Sequence, residues 1–228
     1  MSDIKRNIES VRTRIASAAR RAGIAPESVT LVAVSKTKPV EMVEEAIAAG
    51  AAVFGENYIQ EGILKADRFQ DEASWHFIGH LQKNKARLAA EYFDMIESID
   101  SGELARKVSD ACGRLGRKID VLMQIHFGDE ESKHGFMPRD AERAADIIRA
   151  LPNINLKGLM TIPPLVSDPE ENRRYFASMR EMGSKIFAGE GHILSMGMTG
   201  DLEVAIEEGS NMVRVGTAIF GRREYAKP

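Results

Sequence analysis

The chain has little cysteine and no long apolar run. A single cysteine, Cys112, excludes an internal disulfide, and its place near the end of a predicted helix favours a small buried residue over a nucleophile. The first residues lack the apolar stretch of a signal peptide or a membrane span, so we expect a cytoplasmic protein without a membrane partner. The formal net charge of -3 makes nucleic acid an unfavourable partner.

Linkers rich in Pro, Gly or Ser are also missing, and we expect residues 1–228 to form one domain. After a predicted N-terminal helix over about residues 2 to 22, short apolar runs alternate with helical patterns. Strands are predicted at Thr30–Lys36, Ala51–Gly55, Ser74–Gly79, Met95–Ser98, Lys118–His126, Leu156–Ile162, Ile193–Gly197 and Met212–Gly216. Helices are predicted between them at Val40–Ala49, Ile59–Phe69, Lys83–Tyr92, Ser101–Leu115, Arg139–Ala150, Pro169–Phe187 and Asp201–Glu208.

This alternation predicts an α/β protein, a single (β/α)8 TIM barrel with an additional N-terminal helix. A doubly wound open sheet is the alternative, but the turn after the first strand, Ser35-Lys36-Thr37-Lys38, lacks the glycines of a dinucleotide fingerprint. A polar segment, 127–135, follows the fifth strand and is predicted to be a mobile loop on the same face as Lys36.

Lys36 follows a buried apolar run and precedes Pro39, so it is predicted at the carboxyl end of a strand, where ligand-facing residues of α/β folds lie. A desolvated lysine there can attack a carbonyl and form a Schiff base with an aldehyde cofactor. A solvated lysine beside a turn is the alternative.

The loops after strands seven and eight are predicted to bind an anion. Ser195, Thr199 and Thr217 supply hydroxyl donors, while Gly197 and Gly216 allow backbone N–H groups to approach a phosphate. Ordinary turn residues would explain the same pattern.

Arg214 stands between two valines on the eighth strand, where an unpaired guanidinium would cost several kcal/mol. Its partner is expected to be a structural carboxylate such as Glu56 or a ligand acceptor such as a ring nitrogen. A pyridine nitrogen facing Arg214 would stay largely unprotonated, which leaves the ring a weak electron sink.

His76 and His80 are four residues apart but lie across a strand end rather than on one helical face. Zinc binding is therefore not expected, and hydrogen-bonding or stacking roles are favoured for both histidines.

Five ordered motifs identify a family resemblance. They are Val32-Ala33-Val34-Ser35-Lys36-Thr37-Lys38-Pro39, Phe54-Gly55-Glu56-Asn57-Tyr58, Trp75 to Lys85, Leu194-Ser195-Met196-Gly197-Met198 and Gly209 to Gly221. Together they resemble the pyridoxal phosphate homeostasis protein family, over about residues 30 to 222.

The resemblance implies a barrel similar to the N-terminal domain of alanine racemase, which binds pyridoxal 5'-phosphate (PLP) as a covalent aldimine on Lys36. It places Arg214 against the pyridine nitrogen, and Ser195, Gly216 and Thr217 on the phosphate. The ring or its oxygen would be lined by Asn57, His80, Met160 and Met196. The family commonly has Ser where Thr199 stands and Asn where His126 stands.

The favoured function is a non-catalytic carrier that buffers PLP, maintains vitamin B6 homeostasis and supplies PLP-dependent apoenzymes. An amino-acid racemase is the alternative, but it needs a second base opposite Lys36, for which Tyr58 is poorly placed. A phosphate-sugar enzyme would leave Lys36 and Arg214 together by coincidence. Without a second domain, which the racemase dimer uses, a monomer is expected.

Overall fold

Eight parallel strands close into a barrel in the computed structural model, which describes residues 3–127, 134–188 and 191–222. Neighbouring strands are consecutive in the chain, and β1 closes the barrel by pairing with β8. The strands are β1 Thr30–Val34, β2 Val53–Glu56, β3 Ser74–Phe77, β4 Met95–Ile99, β5 Ile119–Ile125, β6 Ile154–Thr161, β7 Ile193–Ser195 and β8 Met212–Val215. All eight predicted strands are confirmed, and the open-sheet alternative is wrong because no edge strand remains.

Helices surround this barrel at the predicted places. They are α1 Asp3–Arg21, α2 Val40–Ala48, α3 Ile59–Phe69, α4 Ala86–Tyr92, α5 Gly102–Leu115, α6 Ala141–Arg149, α7 Arg173–Phe187, α8 Leu202–Glu207 and α9 Thr217–Phe220. Short 3-10 turns precede α4, α6 and α7, so these α-helices begin later than predicted. The short helix α9 was not predicted, because a single turn after a strand has no periodic pattern.

Inward and outward side chains form two separate apolar layers. A small cluster fills the barrel interior and includes Val32, Leu122, Met160 and Met212. A larger layer packs the outer face of the strands against the helices. At Gly158 on β6, an added Cβ would lie 2.0 Å from the carbonyl oxygen of Ile193, so the approach of β7 requires glycine there.

The N-terminal helix α1 packs against α8 and α9 through an apolar face that includes Ile4, Ile8, Val11 and Ile15. One of its polar residues, Arg14, reaches the loop after β7. Its Nη2 donates to the carbonyl oxygen of Thr199 at 2.9 Å, and its Nε donates to Glu203 at 2.6 Å. The extra helix thus contacts one of the two predicted anion-binding loops.

Cys112 is buried in α5, as predicted for a structural cysteine, and burial raises the pKa of its thiol. Most of the loop predicted at 127–135 lies outside the described residues. Within the ranges that the structure describes, no helix combines the length and apolar content needed to cross a membrane.

Candidate functional site at the barrel mouth

A cavity of about 300 Å³ opens at the carboxyl ends of the strands. It collects residues from the beginning, middle and end of the chain, because parallel strands of a barrel all point the same way. Its described polar lining consists of Lys36, Asn57, Thr199, Arg214 and Thr217, and its apolar and glycine lining consists of Val34, Ile78, Ile162, Met198, Gly200 and Gly216. Five of the ten predicted cofactor-binding residues, Lys36, Asn57, Arg214, Gly216 and Thr217, therefore meet in one cavity.

Lys36 lies in the turn after β1, two residues beyond the end of the strand, and is half-buried. The turn closes through a hydrogen bond from the Lys38 amide to the Ser35 carbonyl, 3.1 Å long. Thr37 has a φ of +63°, in the left-handed region that β-branched residues rarely adopt. The turn is therefore strained, and contacts from neighbouring elements must hold it.

Those contacts come from a buried cluster beneath the turn, formed by Lys65, Glu56, Glu61 and Ser35. Lys65 Nζ donates at 2.7 Å to each of three acceptors: the Ser35 carbonyl, Glu56 Oε1 and Glu61 Oε1. Ser35 Oγ donates to Glu56 Oε1 at 2.6 Å, and the amide of Thr37 donates to Glu61 Oε1 at 2.6 Å. The two residues that flank Lys36 in the chain are thereby fixed by charged groups of β2 and α3.

Burial of this cluster affects its ionisation. Lys65 is 2% exposed and Glu56 is fully buried. Burial raises the pKa of Glu56, and the neighbouring charge of Lys65 opposes that rise. Removing Lys65 would leave the Glu56 carboxylate in the protein interior, with the Ser35 hydroxyl as its hydrogen-bond donor.

A second buried set of charges fixes Arg214 on β8. Arg214 Nη1 donates to Ser195 Oγ at 2.6 Å, and Nη2 donates to the carbonyl oxygen of Thr161 at 2.8 Å. Ser195 Oγ in turn donates to Glu97 Oε2 at 2.5 Å, and His76 Nδ1 lies 2.7 Å from Glu97 Oε1. Of the two partners considered for Arg214, a structural carboxylate is present, but it is Glu97 and not Glu56, which pairs with Lys65.

Glu97 is completely buried among charged and polar partners. Burial alone would raise its pKa, but the hydrogen bond and charge of His76, the charge of Arg214 and the hydroxyl of Ser195 outweigh burial and lower the pKa below its ordinary value. Burial also lowers the pKa of Arg214, partly offset by Glu97 and Asp201. The guanidinium remains protonated, since arginine does not lose its proton in proteins.

The loops after β7 and β8 lie beside each other at the mouth, as the anion-site prediction requires. Asp201 fixes the first loop by accepting from the Met198 amide at 2.7 Å, and Thr199 and Gly200 lie between these two residues. In the second loop, an added Cβ at Gly216 would lie 3.2 Å from the carbonyl oxygen of Val34, so this backbone packs closely against the end of β1. Residues of both loops therefore line the cavity together with Lys36.

Five predicted residues do not line this cavity. Met160 is fully buried in the barrel interior, and Met196 is fully buried in the outer layer between the strands and helices. The hydroxyl of Ser195 is enclosed between Arg214 and Glu97. Gly197, with a φ of +93°, packs against α8, where an added Cβ would lie 2.6 Å from that of Ala205.

The fifth, His80, lines a neighbouring cavity of about 360 Å³ with Asn57 and Tyr58. His126, one of the two departures from the family pattern, is buried, and its Nε2 has no hydrogen-bond partner among the described residues. Thr199, the other departure, lines the mouth cavity.

Sequence reasoning missed Glu97, Lys65 and Asp201. Glu97 stands in the apolar run Met95-Ile96-Glu97-Ser98-Ile99. Like Arg214, Glu97 is a charged residue between apolar strand residues, and a buried charge needs an opposite charge nearby, so the two residues could have been paired from the sequence. Lys65 gave no such signal, because it is a lysine in an amphipathic helix with other polar residues around it.

The barrel and its strand-end cavity define a protein of the alanine racemase N-terminal domain class. The family model described as "Alanine racemase, N-terminal domain" matches residues 2–224. Among solved structures, an alanine racemase of Clostridium difficile superposes with a TM-score of 0.72, covering 99% of this chain and 57% of that one. At 16% identity, this likeness shows the fold alone.

More similar relatives define the family. The pyridoxal phosphate homeostasis protein of Escherichia coli (strain K12) is 45% identical over 237 residues, covering 100% of both chains. That of Vibrio alginolyticus is 44% identical over 233 residues, covering 99% of this chain and 100% of its own. The structure of PipY from Synechococcus elongatus, described with PLP bound, has a TM-score of 0.83 and 35% identity, covering 96% of this chain and 100% of that chain. The chain belongs to the pyridoxal phosphate homeostasis protein family.

Proposed function

We propose that this protein binds PLP in the mouth cavity through a covalent bond to Lys36, and that it carries the cofactor without catalytic turnover. The observation that carries the proposal is the meeting of Lys36, Arg214 and the two loops predicted to bind an anion in one cavity. The names of the full-length relatives and the PLP reported for PipY support it. Recipients would be PLP-dependent apoenzymes, and the carrier would act as a monomer in the cytoplasm.

The cavity suits a phosphorylated aromatic aldehyde. Asn57 Oδ1 is buried without a hydrogen-bond partner among the described residues, and Asn57 lines the cavity, so this atom has an unfilled need for a donor such as a ring hydroxyl. Thr199 and Thr217 offer hydroxyl donors, and at Gly200, where an added Cβ would meet no atom within 4 Å, the backbone lies open to a phosphate group.

When bound, PLP supplies an aldehyde carbon and an electron-withdrawing pyridine ring. Lys36 would hold the cofactor through a covalent bond from its Nζ, which would act as the nucleophile toward that carbon. The strained turn and the buried cluster beneath it hold the lysine at the edge of the cavity. Such an attachment would be reversible, because another amine could displace Lys36, and it would therefore suit a carrier.

Arg214 presents a permanent hydrogen-bond donor to the cavity. It is held by Ser195 and Thr161 and has Glu97 as its compensating charge, so it donates hydrogen bonds and cannot accept a proton from a ligand. A pyridine nitrogen opposite this guanidinium would stay unprotonated, so the ring would withdraw electrons weakly. Arg214 would therefore hold the ring nitrogen by a hydrogen bond without protonating it.

Racemisation would require a second acid or base across the cavity from Lys36. The described residues that line the cavity include no Tyr, His, Cys, Asp or Glu. Tyr58, the residue considered for this role, is 52% exposed and lines the neighbouring cavity instead. The geometry therefore supports the carrier over the racemase.

Two assays test the carrier. The protein loaded with PLP should absorb near ~420 nm, and mixing it with a PLP-dependent apoenzyme should reduce this band while enzyme activity appears. Loaded protein incubated with L-alanine in deuterated buffer should exchange the α-proton far more slowly than about 1 per second. Exchange at that rate or faster would overturn the absence of turnover, whereas failure to acquire the band would overturn PLP binding itself.

A further inference from the structure

A second polar cluster lies beside the mouth cavity, where the loops after three neighbouring strands meet. His80 follows β3, Asp100 follows β4, and His134 belongs to the connection after β5. None of the three lines the cavity assigned to PLP. His80 and His134 are far apart in the sequence, and the closure of the barrel brings them together.

The three side chains converge on one carboxylate oxygen. His80 Nδ1 lies 3.1 Å from Asp100 Oδ2, and His134 Nδ1 lies 3.8 Å from the same oxygen. The two imidazole rings stack with their centroids 3.6 Å apart and an interplanar angle of 12°. One ligand atom from each residue lies within 4.8 Å of the ligand atoms of the other two.

Hydrogen bonding explains only part of this arrangement. The 3.1 Å contact of His80 is within hydrogen-bond range, but the 3.8 Å contact of His134 is too long. In a tetrahedral zinc site with bonds of about 2.0 to 2.2 Å, ligand atoms are separated by about 3.4 Å. The two observed distances bracket that spacing, so an inward movement of His134, with rotation of the two rings out of their parallel stack, would complete it.

The ligand types favour one class of ion. Two imidazoles and one carboxylate suit Zn²⁺ and similar divalent transition metals, whereas Mg²⁺ and Ca²⁺ prefer oxygen ligands alone. The side chain of Asp100 is only 10% exposed and anchors the set, while His80 and His134 are 44% and 54% exposed and leave the site open to solvent. Water can therefore occupy a fourth position.

We propose that His80, Asp100 and His134 form a binding site for a divalent transition-metal ion, best matched by Zn²⁺. The ion would link the loops after β3 and β4 to the connection after β5, next to the mouth of the barrel. This site is independent of PLP binding, because its ligands do not line the PLP cavity.

Metal titration of the untagged protein, freed of metal and kept without PLP, tests the proposal. Zn²⁺ added in competition with a chromophoric chelator should bind with a stoichiometry of about one per chain and a Kd on the order of 1 μM or tighter. Co²⁺ should give visible d–d absorption of a four- or five-coordinate site with nitrogen and oxygen ligands. Binding weaker than about 100 μM would overturn the proposal.

Single variants then identify the ligands. His80→Ala, His134→Ala and Asp100→Asn should each weaken Zn²⁺ binding by at least about tenfold and remove the Co²⁺ spectrum. His192→Gln is the matched control, because His192 stacks on Phe187 away from the cluster and should leave binding unchanged. Far-ultraviolet circular dichroism checks that each variant is folded, and the half-exposed histidines are expected to tolerate alanine. Tight binding that survives in His80→Ala/His134→Ala, or that is lost equally in His192→Gln, would place the ion elsewhere and overturn the assignment.

Discussion

Replacing Lys65 by methionine should strongly destabilise the protein, because it removes the cation from the buried cluster beneath the Lys36 turn. Lys65 Nζ makes three hydrogen bonds of 2.7 Å, and one of its acceptors, Glu56, is fully buried. Methionine keeps most of the apolar stem but leaves the Glu56 carboxylate without a counter-charge. Breaking a buried ion pair by removing one partner costs about 3 to 5 kcal/mol. Glu61 adds little to this cost, since its side chain is 27% exposed and water can replace the lysine.

Urea unfolding measures this loss conveniently. The single tryptophan, Trp75, is 1% exposed and stacks on Phe54, so its fluorescence should report the opening of the core. The control is Lys185→Met, which removes an exposed lysine paired with Glu142 and should change the free energy of unfolding by less than about 1 kcal/mol. The double variant Lys65→Met/Glu56→Leu, which removes both buried charges, should recover much of the lost stability.

The pH dependence of the stability of Lys65→Met distinguishes the loss of charge compensation from the loss of side-chain packing. Burial already raises the pKa of Glu56, and removing Lys65 should raise it further. A raised pKa in the folded state favours folding at low pH and loses that contribution as pH rises through the folded-state pKa. The deficit of Lys65→Met should therefore be smaller at about pH 5 than at about pH 8. A loss no larger than that of Lys185→Met, or a deficit independent of pH, would refute the role given to the cluster.

Two further substitutions test the barrel and its buried charges. Glu97→Gln should lower the free energy of unfolding at about pH 7 by roughly 3 kcal/mol. The lowered pKa of Glu97 gives stability that is present above about pH 4.3 and is lost as pH falls through the folded-state pKa. In Glu97→Gln, the free energy of unfolding should therefore fall less steeply as the pH is lowered into the acid range. Gly158→Ala should prevent closure of the barrel between β6 and β7, seen as low yield of folded protein, since its Cβ would lie 2.0 Å from the Ile193 carbonyl oxygen.

Each of these substitutions has a matched control. Glu142→Gln changes an exposed glutamate and should leave the acid-range fall in the free energy of unfolding unchanged. Identical pH profiles of the free energy of unfolding for wild type and Glu97→Gln would contradict the role assigned to Glu97. An alanine at Gly191 meets no atom within 4 Å and should fold normally. If Gly158→Ala has normal stability, β6 and β7 can move apart without a cost in free energy, which would contradict the requirement for glycine at this position.

The barrel was predictable because its signals are local. Apolar runs marked all eight strands, and Gly50, Gly116 and Gly209 marked helix ends with φ values of +85°, +66° and +97°. The exact ends of strands were less predictable. Lys36 lies in a turn rather than in β1, because Glu61 and Lys65 hold the segment from a distance that the local pattern does not reveal.

The site was predictable only in part. The lysine, the arginine and the two loops follow from the rule that strand ends of a barrel share one mouth. Ser195 and Met196 could not both face the same side, since successive residues along a strand point in opposite directions, and the structure places Met196 in the outer layer. His80, Asp100 and His134 could not be grouped from sequence, because their proximity depends on the conformations of three separate loops.

Reductive trapping of PLP tests the central claim most directly. Treating the loaded protein with borohydride and mapping its peptides should locate the cofactor on Lys36, and Lys36→Met should abolish that adduct. Lys38→Met is the matched control, because Lys38 lies two residues away with its Nζ directed to the Arg222 carbonyl oxygen at 2.9 Å. This variant should retain the adduct on Lys36. An adduct in the wild-type protein that maps to another lysine, or the absence of any adduct in protein saturated with PLP, would contradict the account.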